Sequence, residues 1–103
     1  KNTIGVTVNS GIQARKIELW IDKTNAPYVI TKPLHATQRL ITTNADGSII
    51  IHLLINVNYE FERLLLGFGK GLEVLKPAGL RNRMKQILIG ALEKYEETES
   101  LLQ

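Results

Sequence analysis

Residues 38–57 read QRLITTNADGSIIIHLLINV, and this stretch decides how the rest of the chain folds. Its first segment, residues 38–43, alternates and is rich in Thr and Ile, which is typical of a β-strand. Asp46-Gly47 then supplies the positive φ that a tight hairpin turn needs. Residues 48–57 form the second strand, with apolar residues on both of its faces. The stretch therefore predicts a hairpin whose second strand lies centrally in a sheet or meets a partner.

The segment before the hairpin predicts a strand followed by a short helix. Ile17, Leu19 and Ile21 recur at every second position, which marks a half-buried strand. Trp20 falls on the more polar face of that strand, where a large aromatic side chain usually packs against something. Residues 23–30 are predicted to form a helix with Pro27 in its first turn.

The segment after the hairpin predicts two helices separated by a short strand. Asn58 is the predicted N-cap of the first helix. The apolar stripe of that helix comprises Phe61, Leu64, Leu65 and Phe68. Residues 72–75 form a strand that Pro77 ends, and the last helix runs from about residue 79 to about residue 97. Its apolar residues recur at helical spacing: Leu80, Met84, Ile87, Leu88, Ala91, Leu92 and Tyr95.

The complete order is βαββαβ with an additional C-terminal helix. Two βαβ units around a central hairpin predict an α+β fold of ferredoxin-like type, with a four-stranded antiparallel sheet.

Composition restricts the possible chemistry. A chain of 103 residues is close to the commonest size of a single domain. It has no cysteine, so disulfides and thiolate metal sites are excluded. With only two histidines we predict no metal site and no other cofactor. No stretch has the pattern of a signal peptide or the length of a membrane span, so we expect no membrane association.

The two histidines are the candidates for acid–base chemistry. His35 lies near Thr37 and Gln38 and could orient a ligand or shuttle a proton. Its commoner role would be to bond neighbouring backbone and fix the turn after Pro33. His52 lies in the middle of a strand, where packing or contact with a partner is commoner than catalysis. Because no second catalytic group lies at a useful spacing, we predict that the protein is not an enzyme.

Two further patterns could bind anions. Gly67, Gly69 and Gly71 close a helix and precede a strand, whereas phosphate-binding loops follow a strand and open a helix. We therefore interpret these glycines as a helix end and an approach to the edge strand. Arg81, Arg83 and Lys85 place positive charge in the first turns of the last helix, against the helix dipole, which suggests either an anion site or a solvated face.

Several short motifs occur in a fixed order along residues 15–96. They are RKIELW at 15–20, Pro33-Leu34-His35 followed by Gln38, DGS at 46–48, FG at 68–69, EVL-x-P at 73–77 and LR at 80–81. Together they resemble the C-terminal extension (WCX) domain that follows the WYL domain in bacterial helix-turn-helix transcription regulators. Ala36-Thr37 departs from the family, which tends to have a proline and a serine there.

The resemblance implies a domain organisation and a function. Residues 1–14 would be a linker or arm from an upstream WYL domain, residues 15–97 the extension domain, and residues 98–103 a frayed tail. The domain would be a cytoplasmic regulatory and dimerisation module that helps to form a ligand-sensing groove. Its partners would be the upstream WYL and helix-turn-helix domains, a second copy in a homodimer, DNA through the N-terminal domain, and a nucleic-acid or nucleotide effector.

The same resemblance proposes site residues. The groove residues are Arg81, Arg83, His35 and Gln38, and Trp20 is an interface residue. The two-sided apolarity of residues 48–57, rather than the resemblance, adds Ile50, His52 and Leu54 to the interface.

A second interpretation remains open: a free-standing ferredoxin-like module that binds small molecules, of the type that senses amino acids. In addition, we expect the isolated chain to self-associate, and Trp20→Ala or Leu54→Asp to weaken that association.

Overall fold

The fold is an antiparallel sheet with helices packed on one face, followed by a long helix. A computed structural model describes residues 14–102. The elements are β1 (Arg15–Ile21), α1 (Ala26–Thr31), β2 (Arg39–Thr43), β3 (Ile49–Ile55), α2 (Tyr59–Leu66), β4 (Leu72–Lys76) and α3 (Ala78–Leu102). The sheet order is β2-β3-β1-β4, and all neighbouring strands are antiparallel. The predicted α+β, ferredoxin-like fold with a C-terminal helix is confirmed. The arm predicted at residues 1–14 lies, apart from its last residue, outside the described residues.

The core lies between the sheet and the first two helices. Ile17, Leu19 and Ile21 of β1 are fully buried, as the alternation predicted. Leu19 pairs across the sheet with Ile51 of β3, which is equally buried. Complete burial of such a side chain stabilises the fold by about 1.5–3 kcal/mol. Most of the buried side chains that the sheet contributes to the core therefore belong to β1 and β3.

The hairpin turn is held by a small polar network. Gly47 has φ +93°, and its N–H donates to the Asn44 carbonyl at 3.0 Å. The Asp46 carboxylate accepts from the Ser48 N–H at 2.9 Å and from the Ser48 hydroxyl at 2.6 Å. These bonds lower the pKa of Asp46, the hydroxyl bond most strongly. The turn predicted at Asp46-Gly47 is confirmed.

The first helix begins later than predicted because Asp22 closes a separate turn before it. The Asp22 carboxylate accepts from both the backbone N–H and the side-chain amide of Asn25, each at 2.9 Å. Pro27 lies in the first turn of α1, as expected. Asn58 caps α2 as predicted, because its side-chain oxygen accepts from the Phe61 N–H at 2.8 Å.

A close backbone approach joins this turn to the segment after α2. The Asp22 N–H donates to the Gly71 carbonyl at 2.9 Å. A Cβ on Gly71 would lie only 2.3 Å from the side-chain nitrogen of Asn25. A side chain at Gly71 would therefore displace the Asn25 amide, which supports the structural interpretation of the glycine run. Gly67 forms the C-cap of α2 in ordinary helical geometry.

In α2 and α3, fewer apolar side chains are buried than the apolar stripes in the sequence predicted. In α2, Phe61 and Leu65 are buried, but Leu64 is 43% exposed. In α3, burial is confined to Leu80 and Met84. The helix also continues to Leu102, past the predicted end near residue 97, because no proline or glycine follows Gly90 to stop it.

Candidate functional site

The open face of the sheet carries the predicted interface residues. Because directly opposed residues in antiparallel strands share a face, the register places Trp20 between Ile50 of β3 and Glu73 of β4. Trp20 and Ile50 are half-buried, and Leu54 is exposed beyond them. The structure thus brings the predicted interface residues together on adjacent strands β1 and β3.

A row of charged side chains crosses the same face. Arg39, His52, Glu18 and Lys76 are successive cross-strand neighbours from β2 to β4. The His52 Nε2 and the Glu18 carboxylate lie 2.8 Å apart, and their side chains are only 20% and 23% exposed. His52 is therefore held by a carboxylate on the neighbouring strand, 34 residues away in sequence.

The loop between α1 and β2 uses its polar groups to fasten itself to the fold. The His35 Nδ1 lies 2.7 Å from the Thr37 hydroxyl, which also bonds the backbone of Leu54. The Gln38 side chain accepts from the Leu34 N–H at 2.8 Å and donates to the Val29 carbonyl at 2.9 Å. His35 and Gln38 therefore position the loop against α1 and β3.

An open hollow of about 860 Å³ lies between this loop and the sheet face. Its lining includes Gln38, His52 and Leu54, so it joins residues from the predicted groove and the predicted interface. Lys16 and Arg39 also line it and add positive charge that the sequence interpretation did not single out. Their positions could have been found only with the strand register, which places Lys16 opposite Leu54.

Arg81 and Arg83 lie far from that hollow and point to different neighbours. Arg81 donates to the Glu73 carboxylate and, at 2.9 Å, to the Val74 carbonyl, both on β4. The Nε of Arg83 donates to the carboxylate of Glu62 on α2 at 2.5 Å. That hydrogen bond, with the charge of Glu62, raises the pKa of Arg83. Because β4 and β2 are opposite edges of the sheet, the four predicted groove residues do not form one site.

A second, apolar groove runs along α3 and was missed in the sequence. It encloses about 300 Å³. Its lining comes from α2, β4 and α3 and includes Leu65, Leu66, Leu72, Val74, Leu88 and Leu92. The available signal was the helical spacing of Leu88 and Leu92, which indicates that they share a face of the helix.

Neither a cluster of metal-ligating side chains nor a membrane-spanning helix is found in the part of the chain that the structure describes. Within residues 14–102, no group of three or more His, Cys, Asp or Glu side chains is placed to hold a metal ion. None of the helices in that range combines the length and apolarity needed to cross a bilayer.

A protein-family model matches most of the chain. No curated protein is matched. The family model of the WCX domain matches residues 13–92, which contain all four strands, α1, α2 and the first half of α3. With most of its length matched, the chain belongs to the WCX domain family.

Proposed function

We propose that this chain is the C-terminal regulatory and dimerisation module of a bacterial WYL-family transcription regulator. The observation that carries the proposal is the WCX match across the whole ferredoxin-like unit. In such a regulator a helix-turn-helix domain binds DNA and a WYL domain precedes the extension. The role of this module is then to present binding surfaces.

The arrangement of the histidines supports binding over catalysis. Catalysis needs a polarised group beside a place where substrate can lie. His52 is paired with Glu18, and His35 is engaged with Thr37 in holding the loop. Both histidines therefore have structural partners, and we propose that the protein is not an enzyme.

The open sheet face is the proposed contact with the upstream WYL domain. β1 begins at Arg15, at the end of this face where Lys16 lies opposite Leu54. Trp20 lies further along the same strand and supplies the large aromatic surface typical of interface centres. The row of charged side chains lies between Lys16 and Trp20 along β1. It would fix the orientation in which the WYL domain docks more than the affinity of the contact.

The single tryptophan makes this contact measurable. Trp20 is the only tryptophan in the chain, so its emission reports on the open face alone. The WYL domain encoded upstream of residue 1, produced without tryptophan, is titrated into this chain. We expect a blue shift that saturates at one equivalent and weakens in Leu54→Asp.

The matched control is Ile30→Asp on α1, since Ile30 is also about half exposed but lies on the helix side of the sheet. Emission that is unchanged at saturating concentrations would contradict the proposed contact. A reading frame with no upstream WYL domain would overturn the proposed function itself.

The hollow beside the sheet is the proposed effector site. Lys16 and Arg39 line it, and within residues 14–102 neither has an ion-pair partner. Arg81 and Arg83, by contrast, are both paired with glutamates. A nucleotide or oligonucleotide phosphate would therefore find free positive charge in the hollow.

Anisotropy of a labelled single-stranded oligonucleotide tests the effector site. Binding is measured at low and moderate salt for the wild type and for Lys16→Gln with Arg39→Gln. We expect salt-sensitive binding that the double variant loses. Lys32→Gln with Lys94→Gln removes the same charge elsewhere and should bind nearly as the wild type does. Equal loss in both double variants would show nonspecific attraction and exclude the hollow.

A further inference from the structure

The helix α3 has a free apolar face. It spans 25 residues, which corresponds to a length of about 37 Å. Leu80 and Met84 are buried against the domain. The same face continues into Leu88, Leu92 and Tyr95, which are 48%, 56% and 74% exposed. A stripe that is core at one end and solvent-facing at the other indicates a missing partner.

The spacing along that face fits a helix pair. From Met84, seam positions recur at alternating intervals of four and three residues: Leu88, Ala91, Tyr95, Thr98 and Leu102. Alternation of this kind keeps one seam facing a partner helix. Beside the seam, Lys85, Leu92 and Glu99 occupy equivalent flanking positions one heptad apart. Flanking positions of this kind set partner choice and orientation.

The charges of α3 are separated along its length. Its first turns carry Arg81, Arg83 and Lys85, whereas its second half carries Glu93, Glu96, Glu97 and Glu99 with a single basic residue, Lys94. A parallel copy would place like charges side by side. An antiparallel copy places the basic half of each helix against the acidic half of the other. With Leu92 opposite itself, Lys85 faces Glu99 of the second copy, twice by symmetry.

The same antiparallel arrangement fills the apolar groove. It places the end of one α3 beside Met84 of the other copy, where the groove opens between α2, β4 and α3. Leu101 and Leu102 are both about 80% exposed in the single chain, and they would enter that groove. In this register Lys94 falls opposite Gly90 of the other copy, and it contacts Glu97 of its own helix at 3.6 Å.

We infer that two copies of this chain associate through α3 packed antiparallel, with the C-terminal turn of each helix in the groove of the other. The inference rests on the proposed function, because it names the surface through which the module dimerises. It leaves the open sheet face free for the WYL domain, in place of the self-association expected there from the sequence.

Sedimentation equilibrium of the whole chain with a charge-swap cycle tests the inference. Lys85→Glu and Glu99→Lys each create two repulsive contacts, and each should weaken the dimer roughly tenfold. The two changes combined restore the attraction and should bring the dissociation constant back to near the wild-type value. Because both side chains are exposed, the cycle does not depend on the stability of the core.

Two further variants test whether α3 or the open sheet face is the dimer interface. Leu92→Asp should give a monomer, and Ile30→Asp, a similarly exposed change on α1, should not. A dimer that is lost in Trp20→Ala but retained in Leu92→Asp would overturn the α3 inference and leave the proposed dimerisation standing. A wild-type chain that stays monomeric at all concentrations would overturn both. Absence of rescue in the double charge swap would also count against the antiparallel pairing.

Discussion

Replacing Gly71 by alanine should destabilise the domain because the new side chain displaces the Asn25 amide. The new methyl would lie 2.3 Å from the Asn25 side-chain nitrogen and 3.2 Å from the Asp22 carboxylate. Overpacking of this kind costs about 1–3 kcal/mol. Moving the Asn25 amide away also breaks its 2.9 Å bond to Asp22, which costs about 1 kcal/mol more. We therefore expect a loss of about 2–4 kcal/mol and a fall in Tm on the order of 10 °C or more.

The assay is urea and thermal unfolding followed by circular dichroism. Gly69→Ala is the matched control, because its φ is +57° and nothing lies near the new methyl, so backbone strain alone should cost about 1–2 kcal/mol. In an Asn25→Ala background the contact is gone, and Gly71→Ala should then cost clearly less. The reasoning fails if Gly71→Ala is as mild as Gly69→Ala, or if its cost is the same in both backgrounds.

Three smaller predictions concern other elements. Gly90→Ala, in the middle of α3 with open space around it, should raise stability by about 0.5–1 kcal/mol in urea unfolding, and unchanged stability would indicate that this part of α3 frays. Arg83→Ala should lower the Tm, because it leaves the buried Glu62 carboxylate without its partner, and adding Glu62→Gln should recover part of the loss. Because the folded chain lowers the pKa of Asp46 through its Ser48 bonds, the stabilisation is present above the ordinary value of 3.8 and is lost as pH falls through the lowered pKa. Asp46→Asn should therefore differ most from the wild type near neutral pH, and a difference that persists in strong acid would contradict this origin.

Local patterns in the sequence were enough to predict the fold. The turn at Asp46-Gly47 requires a positive φ, and the strands beside it have a period of two, so both depend on neighbouring residues only. The same holds for the cap at Asn58, which bonds a residue three positions away. Short-range features of this kind can be predicted from one sequence because the interacting groups are close along the chain.

The candidate site was less predictable because its contacts depend on register and on what covers each face. Glu18 and His52 become partners only when β1 and β3 align. Arg81 and Arg83 are close in sequence, but two residues along a helix turn the side chain by about 200°, so they reach β4 and α2 separately. The periodicity of α3 defined which side chains share a face. It did not indicate that the buried part of that face ends at Met84.

The distribution of charge gives a reason to assign the two exposed surfaces to different partners. On the open sheet face, the His52–Glu18 pair lies between Arg39 and Lys76, so basic and acidic groups alternate within a single chain. On α3, Lys85 lies in the first half and Glu99 in the second, and within residues 14–102 neither has an ion-pair partner. A self-complementary surface must place each of its charges opposite the other sign after a two-fold rotation. Lys85 and Glu99 meet this condition when α3 packs antiparallel on its own copy, which is why α3 is the better surface for self-association and the sheet face the better one for a different domain.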